Sequence, residues 1–153
     1  KMIVRLSELL RLTLNNANEQ VHTLEDEMKI LVKYLEIESI RFEDKLTVLI
    51  DIEPSTKNLM MPGLILQPVV ENAIKHGIEK SAEPGTVEIS SHRSNGSMII
   101  RIKNSGGTIN NESILGIGLS SAQSRLNYLY GDKASIQLIK QNGGSLAELS
   151  IPV

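Results

Sequence analysis

Glycine and proline are absent from the first 53 residues, and this gap constrains the fold more than any other feature of the sequence. All eleven glycines and all five prolines lie between Pro54 and Pro152. Both residues interrupt regular secondary structure, so a stretch without them favours long helices, whereas repeated interruption favours short elements joined by turns. The sequence therefore predicts a helical N-terminal segment followed by a mixed α/β region.

Two amphipathic helices are predicted in the N-terminal segment, because leucines and other apolar residues recur there at helical spacing. The first stripe comprises Leu6, Leu9, Leu10 and Leu14, and the second comprises Leu24, Met28, Leu31 and Leu35. Thr23 and Asp26 have the spacing of a capping box at the start of the second helix, and the polar stretch 15–18 separates the two helices. The stripes indicate pairing with each other or with another chain, or a second helix that covers the following sheet.

The rest of the chain predicts the order strand, helix, two strands, helix, two strands. Strands are expected at 45–52, 86–91, 98–102, 135–140 and 145–151, and helices at 64–78 and 119–130. Asn95-Gly96 and Asn142-Gly143 are typical of tight hairpin turns, and Gly131 closes the last helix. This order predicts an α+β fold with a mostly antiparallel sheet covered by helices.

The predicted helix around residues 66–77 carries polar groups on one face. At about 100° per residue, its apolar residues gather on one side, while Glu71, Asn72 and Lys75 lie opposite and His76 lies on the shoulder. An ordinary solvated helix face has the same pattern. The asparagine favours a ligand site, because it is a middling helix former and its neutral oxygen suits Mg²⁺. Lys75, one turn later, is placed to meet a phosphate.

Two glycine clusters flank a polar loop at 105–115. Gly106 and Gly107 follow a predicted strand, and Gly116 and Gly118 precede a predicted helix, where backbone N–H groups favour an anion. Each cluster alone is weak evidence, because loops are rich in glycine, and a plain turn is the simpler explanation of either one. The pattern is neither a dinucleotide-binding fingerprint nor a phosphate-binding P-loop.

Composition excludes several classes of function. The net charge is −2 and aromatic residues make up 3% of the chain, which argues against nucleic-acid binding. The absence of cysteine removes disulfides, thiolate metal sites and cysteine nucleophiles. No apolar run approaches the roughly 18 residues of a membrane span. Because the chain begins at Lys1, we expect it to be part of a longer protein.

In this order and spacing, the segments resemble the ATP-binding domain of sensor histidine kinases, the GHKL superfamily with its Bergerat fold. LQPVVENAIKHGI (66–78) looks like the N box, 102–107 the first glycine box, GIGLSSAQSRLNYLYG (116–131) the second, and GGSLAELSIP (143–152) the final strand. The match is closest to LytS-type kinases, whose linker helix resembles 21–46. The resemblance implies a two-layer α/β sandwich over 44–153, preceded by a helical dimerisation or linker remnant over 1–43.

The resemblance implies ATP and Mg²⁺ as cofactors, with Asn72 holding the metal and Glu71 orienting or polarising the reacting groups. Residues implied to bind the nucleotide are Asn72, Lys75, His76, Gly77, Asn104, Gly106, Gly116, Gly118, Leu119, Arg125 and Ser145. The loop 105–115 would form a short lid. The first glycine box usually opens with Asp followed by Asn, where this chain has Asn104 and Ser105, so we expect weaker adenine binding or its loss.

The phosphoacceptor motif of the family is missing from this chain. His22 is the single histidine before Pro54, and we expect it to be a surface residue rather than the phosphoacceptor. The resemblance implies a response regulator as partner, a homodimer formed through the N-terminal helices of the parent protein, and a cytoplasmic domain of a bacterial inner-membrane protein. Two alternatives remain: a degenerate interaction module without nucleotide binding, and a GHKL serine kinase or ATPase of another family.

Overall fold

The computed structural model describes residues 1–16, 20–106 and 117–153. The helices are α1 (Met2–Asn16), α2 (Leu24–Phe42), α3 (Leu66–Ala73) and α4 (Ile117–Tyr130). The strands are β1 (Val21–Thr23), β2 (Leu46–Ile52), β3 (Met60–Pro62), β4 (Gly85–Ser94), β5 (Ser97–Ser105), β6 (Ser135–Gln141) and β7 (Gly144–Pro152). A π-helical stretch, Ile74–Glu79, continues α3.

The two predicted N-terminal helices are present and pack against each other. Ion pairs join Arg5 to Glu36 at 3.3 Å and Lys33 to Glu8 at 3.2 Å. The Thr23 hydroxyl accepts a hydrogen bond from the Asp26 N–H at 3.2 Å, so the predicted N-cap of α2 is confirmed. Ala17 and Asn18 of the predicted polar linker lie outside the described residues.

The strands β2-β4-β5-β7-β6 form one sheet in that order. β2 pairs with β4 in parallel, and the other neighbours pair antiparallel. Asn95 and Gly96 both have positive φ, at 49° and 77°, which is the two-residue turn that the Asn-Gly sequence predicted. Gly143, at φ 76°, turns the second hairpin.

Helices cover one face of this sheet, and the other face carries charged pairs together with exposed apolar side chains such as Leu49 and Ile139. The core joins the stripe Leu24, Met28, Leu31 and Leu35 of α2 to apolar residues of α3, α4 and the sheet. On the opposite face, Arg101 pairs with Glu148 at 2.8 Å and Lys103 with Glu88 at 3.9 Å. The predicted α+β fold, a two-layer α/β sandwich with a mostly antiparallel sheet, is thus confirmed. The division into 1–43 and 44–153 stays a prediction.

The region before α3 departs from the sequence prediction in two ways. β1 pairs antiparallel with β3, with His22 opposite Met61, and neither three-residue strand was predicted. The helix expected from Leu64 begins at Leu66, because Leu64 has a positive φ of 58° that breaks helical geometry. No helix within the described residues combines the length and apolarity needed to cross a bilayer.

Candidate functional site

The α3 segment has the two-faced character that the sequence predicted. Its buried side comprises Leu66, Val69, Val70, Ala73, Ile74 and Gly77. Glu71 and Lys75 are exposed, whereas Asn72 and His76 are half-buried. The change to π-helix after Ala73 was not predicted; it widens the turn that carries Lys75, His76 and Gly77, and such turns are frequent at functional sites.

Gly77 meets the side chain of Asn104 from the end of β5. A Cβ atom added at position 77 would lie 2.2 Å from Nδ2 of Asn104, which excludes every larger residue unless Asn104 moves. Asn104 itself is buried, with 3% of its surface exposed. The close approach therefore fixes the separation between the α3 segment and the end of β5.

The amide of Asn104 is held at both ends. Its Oδ1 accepts a hydrogen bond from the Ser145 hydroxyl at 2.5 Å, and its Nδ2 donates to the carbonyl oxygen of Gly106 at 3.2 Å. An amide oxygen accepts two hydrogen bonds and an amide nitrogen donates two, so each atom retains one more site. Within the described residues, each end of the Asn104 amide is therefore held by one hydrogen bond and has the capacity for a second.

Glycines allow the backbone to close around Asn104. Gly106 has φ +80°, its N–H donates to the carbonyl oxygen of Gly143 at 2.6 Å, and a Cβ there would lie 2.9 Å from the Gly77 carbonyl oxygen. A Cβ at Gly144 would lie 1.9 Å from the Asn104 carbonyl oxygen. The structure therefore brings together Gly77, Asn104, Gly106 and Ser145 of the predicted site. Gly144, which is not among the predicted site residues, has a structural role beside them.

The remaining predicted residues lie on or before α4. Gly118 and Leu119 belong to its first turn, and Leu119 is buried. Arg125 is half-buried and lines a cavity of about 400 Å³ together with Gln20, Ser124, Tyr128 and Leu129. Gly116 and all of the predicted lid beyond Gly106 lie outside the described residues. The roles of Gly118, Leu119 and Arg125 toward a nucleotide stay predictions.

Burial and charge set the protonation of groups around α3. Burial, followed by the nearby Lys80 and Lys75, lowers the pKa of His76, so its imidazole is neutral at pH 7. Burial and the carboxylates of Glu38 and Glu71 raise the pKa of Tyr34 on α2. A neutral imidazole donates or accepts one hydrogen bond at each nitrogen without adding charge.

The donor set fits Mg²⁺ bound through a nucleotide. In the described part of the chain, no three His, Cys, Asp or Glu side chains cluster as a metal cage. Mg²⁺ commonly uses one or two protein oxygens together with phosphates and water. The half-buried amide of Asn72, beside Glu71 and one turn before Lys75, suits such a partial site.

His22 is not the surface residue that we expected. It is 3% exposed, and its Nε2 lies 2.5 Å from Oε2 of Glu27. The expectation is wrong because β1 pairs with β3 and places the imidazole beside the beginning of α3.

Glu27, also buried, accepts hydrogen bonds from the backbone N–H groups of Leu64, Ile65 and Leu66. One signal for Glu27 was present in the sequence: it interrupts the apolar stripe between Leu24 and Met28.

The chain is similar in sequence to parts of longer sensor histidine kinases. A family model described as histidine kinase matches residues 1–46. The sensor protein LytS of Staphylococcus haemolyticus (strain JCSC1435) is 28% identical over 165 residues, covering 99% of this chain and 28% of that protein. The sensor histidine kinase BtsS of Escherichia coli (strain K12) is 34% identical over 141 residues, covering 90% of this chain and 25% of that protein. This chain therefore spans about a quarter of the length of these curated relatives.

Solved structures share the fold at low sequence identity. The catalytic domain of the histidine kinase ThkA matches with a TM-score of 0.68 at 18% identity, covering 86% of this chain and 93% of that chain. ThkA in complex with the response regulator protein TrrA matches with a TM-score of 0.61 at 17% identity, covering 98% of this chain and 48% of that chain. The resemblance found in the sequence is thereby confirmed: the chain is similar to LytS-type sensor histidine kinases, and it shares the fold of a histidine kinase catalytic domain.

Proposed function

We propose that this chain is the ATP-binding catalytic region of a two-component sensor histidine kinase. The observation that carries the proposal is the contact between two predicted motifs that are 27 residues apart, Gly77 of the N box and Asn104 of the first glycine box. This contact sets a buried amide, held by Ser145 and by the Gly106 carbonyl oxygen, against the end of the α3 segment. The polar face of α3 begins beside that contact and presents an acid, an amide, a lysine and an imidazole.

Each residue has a chemical role in this proposal. The Oδ1 atom of Asn104 accepts a hydrogen bond from the adenine amino group, with Ser145 and Gly106 holding the amide in place. Asn72 ligates Mg²⁺, and Glu71 orients or polarises the reacting groups. Lys75 and His76 lie near the phosphates, and the beginning of α4, at Gly118 and Leu119, offers backbone N–H groups to an anion.

The reaction is phosphoryl transfer to a histidine outside this chain. When bound, Mg–ATP supplies the γ-phosphoryl group; a bond from the histidine nitrogen to phosphorus forms as the bond from phosphorus to ADP breaks. The residues of this chain contribute position and electrostatic stabilisation rather than a covalent intermediate. Onward transfer to an aspartate of a response regulator follows, and the solved complex of the similar kinase ThkA with a response regulator supports such a partner.

The parent protein is proposed to be a homodimer with the N-terminal helices at its interface. Ile3, Leu10 and Leu14 of α1 are 81%, 54% and 71% exposed and share one face of the helix, whereas Leu9 is buried. Exposed apolar stripes of this kind mark a protein interface. A membrane anchor is proposed for segments of the parent protein beyond this chain, which places the catalytic region on the cytoplasmic side of a bacterial inner membrane.

Thermal unfolding with and without Mg–ADP tests the proposal. Nucleotide at 100 times its dissociation constant adds about 2.7 kcal/mol to the free energy of unfolding, which raises Tm by roughly 5–10 °C for a chain of this size. Asn72→Ala should abolish the magnesium-dependent part of the shift. Asn58→Ala is the matched control, because Asn58 is exposed in a turn and should leave the shift unchanged. A folded wild-type chain without any shift at millimolar nucleotide favours the degenerate interaction module instead.

A further inference from the structure

The beginning of α3 is capped by a carboxylate from another helix. The side chain of Glu27, on α2, accepts hydrogen bonds from three successive backbone N–H groups: Leu64 at 2.8 Å, Ile65 at 2.8 Å and Leu66 at 2.9 Å. Ile65, at the N-cap position of α3, supplies no side-chain hydrogen bond of its own. Glu27 therefore satisfies N–H groups that a local capping residue would otherwise take.

The carboxylate is buried and fully engaged. Glu27 is 2% exposed, and the imidazole of His22 lies 2.5 Å from its Oε2 atom. A buried carboxylate that loses such partners carries a large desolvation penalty, and a negative charge is favourable at the N-terminus of a helix. Displacing α2 without α3 would remove the three N–H donors from this buried carboxylate, so the two helices are expected to move together.

Further contacts attach α2 to the segment that leads into α3. The backbone N–H of Leu24 donates to the carbonyl oxygen of Leu59 at 2.9 Å, and that of Glu25 donates to the carbonyl oxygen of Lys57 at 2.9 Å. At the opposite end of α2, Arg41 pairs with Glu79 at the end of the π-helical stretch, at 3.3 Å. The first turn of α2 thus contacts the beginning of the α3 segment, and its last turn contacts the end. The two helices run side by side in the same direction.

We propose that Glu27 is a positioning residue that fixes the N box to α2, so that the position of α2 sets the position of Glu71 and Asn72. Asn72 is six residues beyond Leu66, which is about 9 Å along the helix axis. A shift of α2 therefore reaches the nucleotide site through one short, continuous helix. The consequence for nucleotide binding rests on the proposed function, whereas the mechanical coupling between the helices does not.

The test compares Glu27→Gln with Glu25→Gln under conditions where circular dichroism shows both chains folded. Glu25 lies on the same helix and is exposed, so its substitution makes the same chemical change without removing the cap. Misplacement of a site by a fraction of an ångström to an ångström is costly, and Glu27→Gln should raise the Kd of Mg–ADP by about tenfold or more. Glu25→Gln should leave it unchanged. An unchanged Kd in Glu27→Gln, with only a lower Tm, would overturn the proposal in favour of a purely structural role.

Amide hydrogen exchange tests the coupling of α2 to α3 independently of whether the chain binds a nucleotide. If the wild-type chain binds no nucleotide, exchange at the α3 amides of Val70–Ala73 still reports the coupling. We expect hydrogen exchange in Glu27→Gln to be faster at the Val70–Ala73 amides than at the β5 amides, each compared with the wild-type chain. Equally faster exchange across the whole chain would contradict the proposal. Should Glu27→Gln fail to fold, Glu27→Asp keeps the charge but shortens the reach; it should give the same pattern with a smaller change, and no change in either readout would refute the proposal.

Discussion

Replacement of Gly77 by alanine gives a prediction that follows directly from the geometry of the site. The new Cβ would lie 2.2 Å from Nδ2 and 2.8 Å from Cγ of Asn104, so the amide must move. Asn104 is 3% exposed and bonded to Ser145 and Gly106, which leaves it no open space to enter. Overpacking typically costs about 1–3 kcal/mol and each lost hydrogen bond about 1 kcal/mol, whereas alanine regains up to about 1 kcal/mol of helix propensity.

We therefore expect Gly77→Ala to lower the free energy of unfolding by roughly 1–4 kcal/mol, measured by urea denaturation. The double variant Gly77→Ala with Asn104→Ala removes the atoms that clash. Its loss of stability should be smaller than the sum of the two single losses by about 1 kcal/mol or more, since the two sites are in contact. A neutral single substitution, or strictly additive losses, would refute the claim that this contact spaces the α3 segment from β5.

Two further predictions concern groups whose pKa is shifted. Burial raises the pKa of Glu38 above 4.5, so the contribution of this carboxyl to stability is present below the unfolded pKa and is lost as pH rises. Glu38→Gln should therefore raise Tm at pH 7, and the gain in Tm should vanish near pH 4. Burial lowers the pKa of His76 below 6.5, so its contribution is present above that pH and is lost as pH falls through the folded pKa. His76→Gln should therefore flatten the decline in Tm between pH 7 and 5, and an equally steep decline would contradict this assignment.

Local patterns were enough to predict most elements of the fold. Thr23 caps α2 because capping depends on residues three positions apart, and Asn95-Gly96 turns its hairpin because few other residues tolerate two successive positive φ angles. The buried and exposed faces of α3 followed from helical periodicity in the same way. These features depend on neighbours in the sequence, which a single sequence displays directly.

The features that the sequence did not reveal depend on contacts between distant residues. Glu27 lies on the apolar face of α2, which the sequence displays, but the N–H group of Ile65 that it accepts from is 38 residues later, and no local pattern identifies that partner. His22 is buried for the same reason, since its environment comes from the pairing of β1 with β3. Gly77 is recognisable as part of a motif, but its reason, the close approach of Asn104, appears only in three dimensions. The π-helical stretch after Ala73 also has no sequence signature here.

Recognition of adenine by Asn104 can be measured by isothermal titration of the wild-type chain with Mg–ADP and, separately, with Mg–GDP. Oδ1 of Asn104 is an acceptor held in place by Ser145, so it suits the amino group of adenine and opposes the carbonyl oxygen that guanine carries at that position. We expect magnesium-dependent binding of ADP, with a Kd about tenfold or more lower than that of GDP. Absence of ADP binding at millimolar concentration, or equal binding of the two nucleotides, would contradict this expectation.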